Sequence, residues 1–249
     1  MSMNLVLDLG NSRCKWALAV AGLKPGGVLA YGDDFARALD RAFEPLARPA
    51  QVAAVSVAGT AHSDTLAQWV KRHWNLDLMR FSARAAQCGV TNTYKDPAQL
   101  GADRWAALIA ARARVPGAAC VVDCGTAVTV DALDASGAFR GGVILPGLAL
   151  MRSSLLQGAQ GIHAAAGHAG SCLARTTADA VAAGVLYSLA GAIDRILDEQ
   201  AAALGASPQV LLTGGDAQAL LPLLRHAVSL VPDLVLEGVV RMVSAEGAA

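Results

Sequence analysis

Two stretches of the chain, LVLDLGNSRCKWALAV at 5–20 and CVVDCGTAVTVDAL at 120–133, follow one order: three apolar residues, Asp, one apolar residue, Gly, a small polar residue and a second β-like run. Asp8 aligns with Asp123 and Gly10 with Gly125, at an offset close to half the chain. A strand that ends in a carboxylate and turns through glycine is unusual once; twice, in register, it argues for duplication of a supersecondary unit. The expectation is two domains of one architecture, residues 1–115 and 116–249, with a Val-Pro-Gly punctuation at 115–117 as the boundary.

Patterning between the repeats places the chain in the α/β class, as mixed sheets flanked by helices. The first repeat reads as a β-hairpin that stops at the Gly/Pro cluster GLKPGG. Residues 33–48 carry Phe35, Leu39, Ala42 and Phe43 at helical spacing behind acidic caps. QVAAVSVAG reads as a buried strand, HSDTLAQWVKRHW as a helix with Leu66, Trp69, Val70 and Trp74 on one stripe, and LDLMRFSA as another strand. Residues 85–100 are less regular. Asp96 and Pro97 open a short turn ahead of an Ala-rich helix that runs to Arg114. In the second half, GAFRGGVILPGLALMRSSLLQGA predicts a strand, a Pro-Gly turn and a helix; a long apolar helix starts at Thr176 or Thr177; QVLLTGGDAQALLPLL predicts strand, Gly-Gly turn and helix.

Composition excludes several function classes. With 249 residues, 54% hydrophobic and 16% charged, the chain has enough apolar material for one large core or two moderate ones. Lys plus Arg equal Asp plus Glu at 20 each, so no net field draws it to nucleic acid or an anionic membrane, and no helix-turn-helix pattern is present. Five cysteines without a CxxC pair argue against a disulfide framework. No run reaches the roughly 18 uninterrupted apolar residues of a membrane span. These features predict a cytoplasmic protein that recognises a small molecule.

The paired turns suggest which one. Glycine after a strand lets backbone N–H groups approach an anion, and Asn11, Ser12 and Thr126 add side-chain donors. Carboxylates there would repel phosphate unless a cation intervenes, so Asp8 and Asp123 together imply a metal ion beside nucleotide phosphates. The structural alternative is an Asx-turn at each strand end. Gly214-Gly215 supplies a third bare turn. Neither GxxxxGK[ST] nor GxGxxG occurs.

Five ordered blocks then carry a family resemblance: Asp8-Leu9-Gly10-Asn11-Ser12, Gly101-Ala102-Asp103-Arg104, the Asp123–Asp131 run, Gly141 to Gly147, and Thr213-Gly214-Gly215. Together they resemble the type III pantothenate kinases. The resemblance implies the acetate and sugar kinase/Hsp70/actin fold, with two ribonuclease-H-like domains, and a homodimer that phosphorylates pantothenate with ATP and a divalent cation such as Mg2+. It implies that Asp8, Leu9, Gly10, Asn11, Ser12, Arg13, Cys14 and Lys15 form the first phosphate loop, with Asp8 a ligand of the divalent cation, and that Thr126 contacts ATP. Asp123 would hold a monovalent cation, K+ or NH4+. Tyr94, Gly101, Ala102, Asp103, Arg104 and Thr177 would contact pantothenate, with Asp103 as proton acceptor.

Chemistry agrees for Asp103: a kinase acting on a primary alcohol needs one carboxylate to take the hydroxyl proton as the phosphoryl group transfers. Its place near a helix start predicts that it stays ionised and is a weak base. Arg104 could pair with a substrate carboxylate or with phosphate. Ser12 stands where the family more often has Thr, which preserves the hydroxyl. Cys14 and Cys124 read as small packing residues within the turns. His163, His168 and Cys172 in the Gly/Ala-rich stretch 158–175 have a loose metal-like spacing without a fourth ligand, and that stretch reads as a loop. Two other classes share the turns: another phosphotransferase or a phosphatase of the same superfold, and a nucleotide-binding regulatory or accessory protein.

Overall fold

The structure, a computed structural model, describes residues 3–32, 34–162 and 167–247. Its elements in chain order are β1 (Asn4–Leu9), β2 (Arg13–Ala19), β3 (Leu23–Ala30), α1 (Phe35–Phe43), β4 (Gln51–Ser56), α2 (Thr60–Trp74), β5 (Leu78–Phe81), β6 (Ala86–Gln87), β7 (Val90–Asn92) and α3 (Ala102–Arg114). There follow β8 (Ala119–Cys124), β9 (Ala127–Leu133), β10 (Ala138–Pro146), α4 (Leu148–Gly158), α5 (Thr177–Leu204), β11 (Gln209–Thr213), α6 (Ala217–Leu220), β12 (Val228–Leu230) and α7 (Leu234–Glu246). Single 3₁₀ turns cover Pro97–Gln99 and Leu221–Leu223.

The chain forms two compact units. The first comprises Met1–Arg114, Gly137–Phe139 and Asp233–Ala249; the second comprises Val115–Ser136 and Arg140–Pro232. In the first, the sheet order is β3-β2-β1-β4-β5, with β1, β2 and β3 antiparallel and β1, β4 and β5 parallel. In the second, the order β10-β9-β8-β11-β12 repeats this arrangement: β8 pairs antiparallel with β9 and parallel with β11, which is parallel to β12. The aligned motifs therefore occupy the same place, the β1/β2 hairpin in one unit and the β8/β9 hairpin in the other.

Successive residues of β1 and β8 point to opposite faces, and both faces are covered: Leu5, Val6 and Leu7 are buried, as are Ala119 to Val122. Leu5, Leu7 and Leu9 of β1 pack with Phe35, Leu39 and Phe43 of α1 and Leu66, Trp69 and Trp74 of α2. Cys120, Val122 and Cys124 of β8 pack with Val128 and Val130 of β9 and with Leu189, Ile193 and Leu197 of α5. The helix α1 begins where Asp34 accepts from the Arg37 N–H at 3.0 Å, and α2 stops at Asn75, which adopts the left-handed conformation (φ 50°). By length and composition α5 could cross a membrane, but its buried face belongs to the second unit's core, and the carboxylate of Asp194, 3% exposed, accepts from the backbone N–H and side-chain Nε of Arg225.

Two elements differ from the expectations. GLKPGG does not end the sheet: from Leu23 onward it forms the start of β3. Pro25 is tolerated because β3 is an edge strand, and Gly26 is required because a Cβ there would lie 2.1 Å from the Trp16 ring. By contacts the chain passes from the first unit to the second at Val115 and returns to the first at Asp233, so these units and the expected domains 1–115 and 116–249 are drawn differently at the C-terminal end. There α7 lies along α3 so closely that a Cβ on Gly238 would come 1.9 Å from the Ala106 carbonyl oxygen. Backbone contact of this kind leaves no periodic signal to read.

Candidate active site

In the first unit, β1 delivers Asp8 to the sheet end and the chain reverses at once. The Gly10 N–H donates to the Arg13 carbonyl at 3.1 Å, leaving Asn11, Ser12 and Arg13 exposed at the tip while Cys14 turns into the core. Asp8 pairs with Lys15 across the hairpin and with Val55 on β4. Its negative charge is felt locally. The thiol of Cys14 and the hydroxyl of Tyr31 are pushed well above their ordinary ranges, chiefly by burial, with Asp8 adding to both. Cys14 is therefore an inert packing group, and the turn presents a carboxylate beside bare backbone, a donor set that suits a hard cation.

The end of β1 leads to the second feature of this unit. The Val57 N–H donates to the Leu9 carbonyl at 3.0 Å, and Val57 lines the notch in which Gly101 sits. A Cβ on Gly101 would lie 2.6 Å from Oδ1 of Asp103, so the missing side chain is what admits that carboxylate. Asp103 stands in the first turn of α3, where its Oδ1 accepts from the Arg104 N–H at 2.7 Å. The helix start on its own would hold this carboxylate low, and burial works against it. Burial raises the Asp103 pKa, and the hydrogen bond from the Arg104 N–H, the Arg104 charge and its own N–H offset that only in part. Desolvation outweighs the helix terminus, which makes the carboxylate more basic.

Arg104 is 7% exposed. Its Nη1 donates to the Tyr94 hydroxyl at 3.3 Å, and its Cζ lies 6.0 Å from the Tyr94 ring centroid and 5.8 Å from that of Phe139. The two rings are 5.3 Å apart. Tyr94 is held by Asn92, which accepts from the Tyr94 N–H at 3.0 Å and donates to the Pro97 carbonyl at 3.1 Å; Trp105 donates to Gln87 at 3.1 Å. The structure thus brings Tyr94, Gly101, Ala102, Asp103 and Arg104 together. Sequence reasoning missed Phe139 and Asn92. Phe139 reads in the sequence only as one apolar residue of the GAFRGGVILP strand. Asn92 carried no signal.

In the second unit the turn after β8 repeats the first. The Gly125 N–H donates to the Ala127 carbonyl at 3.1 Å. Two further glycines close on it. Gly147 donates to the Thr126 carbonyl at 3.0 Å, and a Cβ there would meet the Gly125 oxygen at 2.3 Å. Gly214 has φ +96°, and a Cβ on it would meet the Cys124 backbone at 2.4 Å and the Asp123 carboxylate at 2.5 Å. The Asp216 N–H then donates to the Cys124 carbonyl at 2.9 Å. Asp123, Thr126, Gly147 and Gly214 are therefore one constellation of backbone and carboxylate. Burial, then Asp123 and Asp216, push the Cys124 thiol up to about 12, so it too is inert. Thr177 opens α5 in this unit and is exposed; its neighbour Thr176 is the N-cap, accepting from the Asp179 N–H at 3.1 Å. Asp131 is buried within β9. Of the loosely spaced trio, His163 lies outside the described residues.

The model of the family described as type III pantothenate kinase matches residues 4–199. The chain belongs to the type III pantothenate kinase family. A type III pantothenate kinase of Alkalilimnicola ehrlichii is 42% identical over 98% of this chain and 98% of its own length. Among solved structures, component A of the (R)-2-hydroxyglutaryl-CoA dehydratase of Acidaminococcus fermentans aligns over 100% of this chain and 99% of its own at 17% identity, with a TM-score of 0.57. A glucokinase from an Antarctic psychrotroph aligns over 99% of each chain at 13% identity and a TM-score of 0.50. At such identities these likenesses show the fold, which is that of actin-like ATPases and sugar kinases.

Proposed function

We propose that the chain transfers the γ-phosphoryl group of ATP to the primary hydroxyl of pantothenate, forming 4′-phosphopantothenate and ADP, the first step of coenzyme A synthesis. The observation that carries this reading is the Asp103 carboxylate, made more basic by burial and seated in the Gly101 notch beside the buried Arg104 guanidinium. Asp103 accepts the hydroxyl proton while the alcohol oxygen bonds to phosphorus and the bond to the ADP oxygen breaks. Arg104, oriented by Tyr94 and walled by Phe139, suits the planar carboxylate of pantothenate. Thr177 is assigned a further substrate contact by resemblance alone.

For the nucleotide, the residues Asp8 to Lys15 are assigned to phosphate, with Asp8 toward the divalent cation, and Thr126 to ATP. Asp123, against which Gly214 packs without a side chain, is assigned the monovalent cation, K+ or NH4+. When bound, these cations neutralise phosphate charge, and positioning supplies most of the remaining acceleration. We further infer a homodimer in the cytoplasm. Of the exposed large apolar side chains, Val143, Ile144, Leu150, Leu155, Leu173 and Tyr187 belong to the second unit, with Ile144 at 63% exposure and Leu173 at 81%, and Val20 and Val28 to the first. All five cysteines stand as thiols.

The direct test is ADP release from purified protein with ATP and Mg2+. Turnover should require both pantothenate and K+ or NH4+; release of ADP independent of pantothenate would favour a phosphatase or a regulator. Asp123→Ala should flatten the K+ titration, and an unchanged titration would remove Asp123 from the cation site.

Arg104→Lys separates the two roles left open for that residue. Lysine keeps the charge but loses the planar fork, so KM for pantothenate should rise roughly ten- to hundredfold with KM for ATP nearly constant. A rise in KM for ATP instead would assign Arg104 to phosphate.

A further inference from the structure

Away from the turns, the C-terminal ends of α1 and α2 bring three metal-ligating side chains together in the first unit. Asp40 lies in the last turn of α1, Glu44 is that helix's C-cap, and His73 lies in the last turn of α2. One ligand atom from each falls within 4.8 Å of the others. Helical spacing puts Asp40 and Glu44 on one face, where two carboxylates four residues apart repel. Both also sit at the negative end of a helix dipole, and His73 sits at the negative end of another. The electrostatics of this corner therefore favour a cation. Arg41, Lys71 and Arg72 share the same helix ends, but Lys71 is engaged by Asp77 at 2.9 Å, and Arg48 donates to the Trp74 carbonyl at 2.8 Å.

The histidine is already oriented. Its Nδ1 lies 3.0 Å from the Trp69 carbonyl oxygen, which can only accept, so Nδ1 carries a hydrogen and Nε2 is the nitrogen that offers a lone pair in the neutral imidazole. Nε2 lies 3.9 Å from Asp40 Oδ1. The imidazole stacks on the Trp69 ring with centroids 4.1 Å apart, and the Trp69 Nε1–H donates to Asp40 Oδ1 at 2.6 Å. One tryptophan thus fixes both the imidazole and a carboxylate, as outer-shell partners of metal ligands do.

We propose that Asp40, Glu44 and His73 bind a divalent transition metal of the zinc class and so clamp the end of α1 to the end of α2. One imidazole and two carboxylates match Zn2+, whereas Mg2+ and Ca2+ take all-oxygen shells. Metal–ligand bonds of about 2 Å would need the three atoms to close by about 1 Å, within reach of the exposed Glu44 side chain. None of the three residues belongs to the proposed catalytic or nucleotide-binding groups.

The test is titration of the chelator-treated full chain with Zn2+, followed by calorimetry and thermal melting. Wild type should bind one ion at this site, and its Tm should rise by about 5 °C or more at a hundredfold excess over Kd, with no rise in Mg2+. His73→Gln and Glu44→Gln should each abolish the rise, and the metal-free Glu44→Gln melt should stay near wild type. His73→Gln also removes the stacking on Trp69 and the contact with its carbonyl, whereas Glu44→Gln changes an exposed side chain only, so Glu44→Gln carries the test if the metal-free His73→Gln protein melts low. No zinc binding by wild type, or an undiminished Tm rise in both variants, would overturn the site.

Discussion

Asp103→Asn should lower kcat by about 10²- to 10⁴-fold, the usual contribution of a positioned general base, while KM for ATP stays near wild type. Measured in the ADP-release assay, this separates proton acceptance from nucleotide binding; a variant with near-wild-type turnover would remove Asp103 from the chemistry. A second readout follows from the raised pKa. Burial disfavours the charged carboxylate in the folded state, so ionisation of Asp103 costs stability as pH rises from the ordinary carboxylate range through its folded pKa, and that cost persists at neutral pH. Asparagine keeps an acceptor for the Arg104 N–H without the charge. The variant should therefore melt at or above the wild-type temperature at pH 7 although it is inactive. In the wild type, the acid limb of kcat/KM should fall at a higher pH than an unperturbed aspartate would give.

Gly238→Val should destabilise the protein by about 3 kcal/mol or more. A Cβ at 238 would lie 1.9 Å from the Ala106 carbonyl oxygen and 2.4 Å from its carbon, both backbone atoms of α3, so no side-chain rotation relieves it. The helices must separate, and α3 is the helix whose first turn holds Asp103 and Arg104. Denaturant melts should show the loss of stability, and kcat should fall with it because the Gly101 notch is built on the same helix. A Gly238→Val protein with wild-type stability would mean that α7 does not pack on α3 as described.

Much of the site was legible because its chemistry is local. Asp8 with Gly10, Asp123 with Gly125, and Asp103 with Gly101 are each close neighbours along the chain, and the conformational freedom of glycine beside a carboxylate shows in the residue types. The residues that complete the constellations, Phe139 against Arg104 and Gly147 and Gly214 against the second turn, come from distant segments. Nothing about a glycine's residue type tells whether it supplies a turn or a clearance.

The same division runs through the fold. The order of strands and helices, the duplicated hairpin and its α/β class followed from hydrophobic periodicity and turn residues, because each depends on contacts within a few residues. Tertiary structure alone decided that GLKPGG lies flat over Trp16 as an edge strand and that the chain's last helix returns to the first unit. It alone decided that Asp103 is raised, not lowered, in pKa. That last outcome is a contest between a helix terminus, which the sequence shows, and desolvation, which exists only once the rest of the unit has packed around the carboxylate.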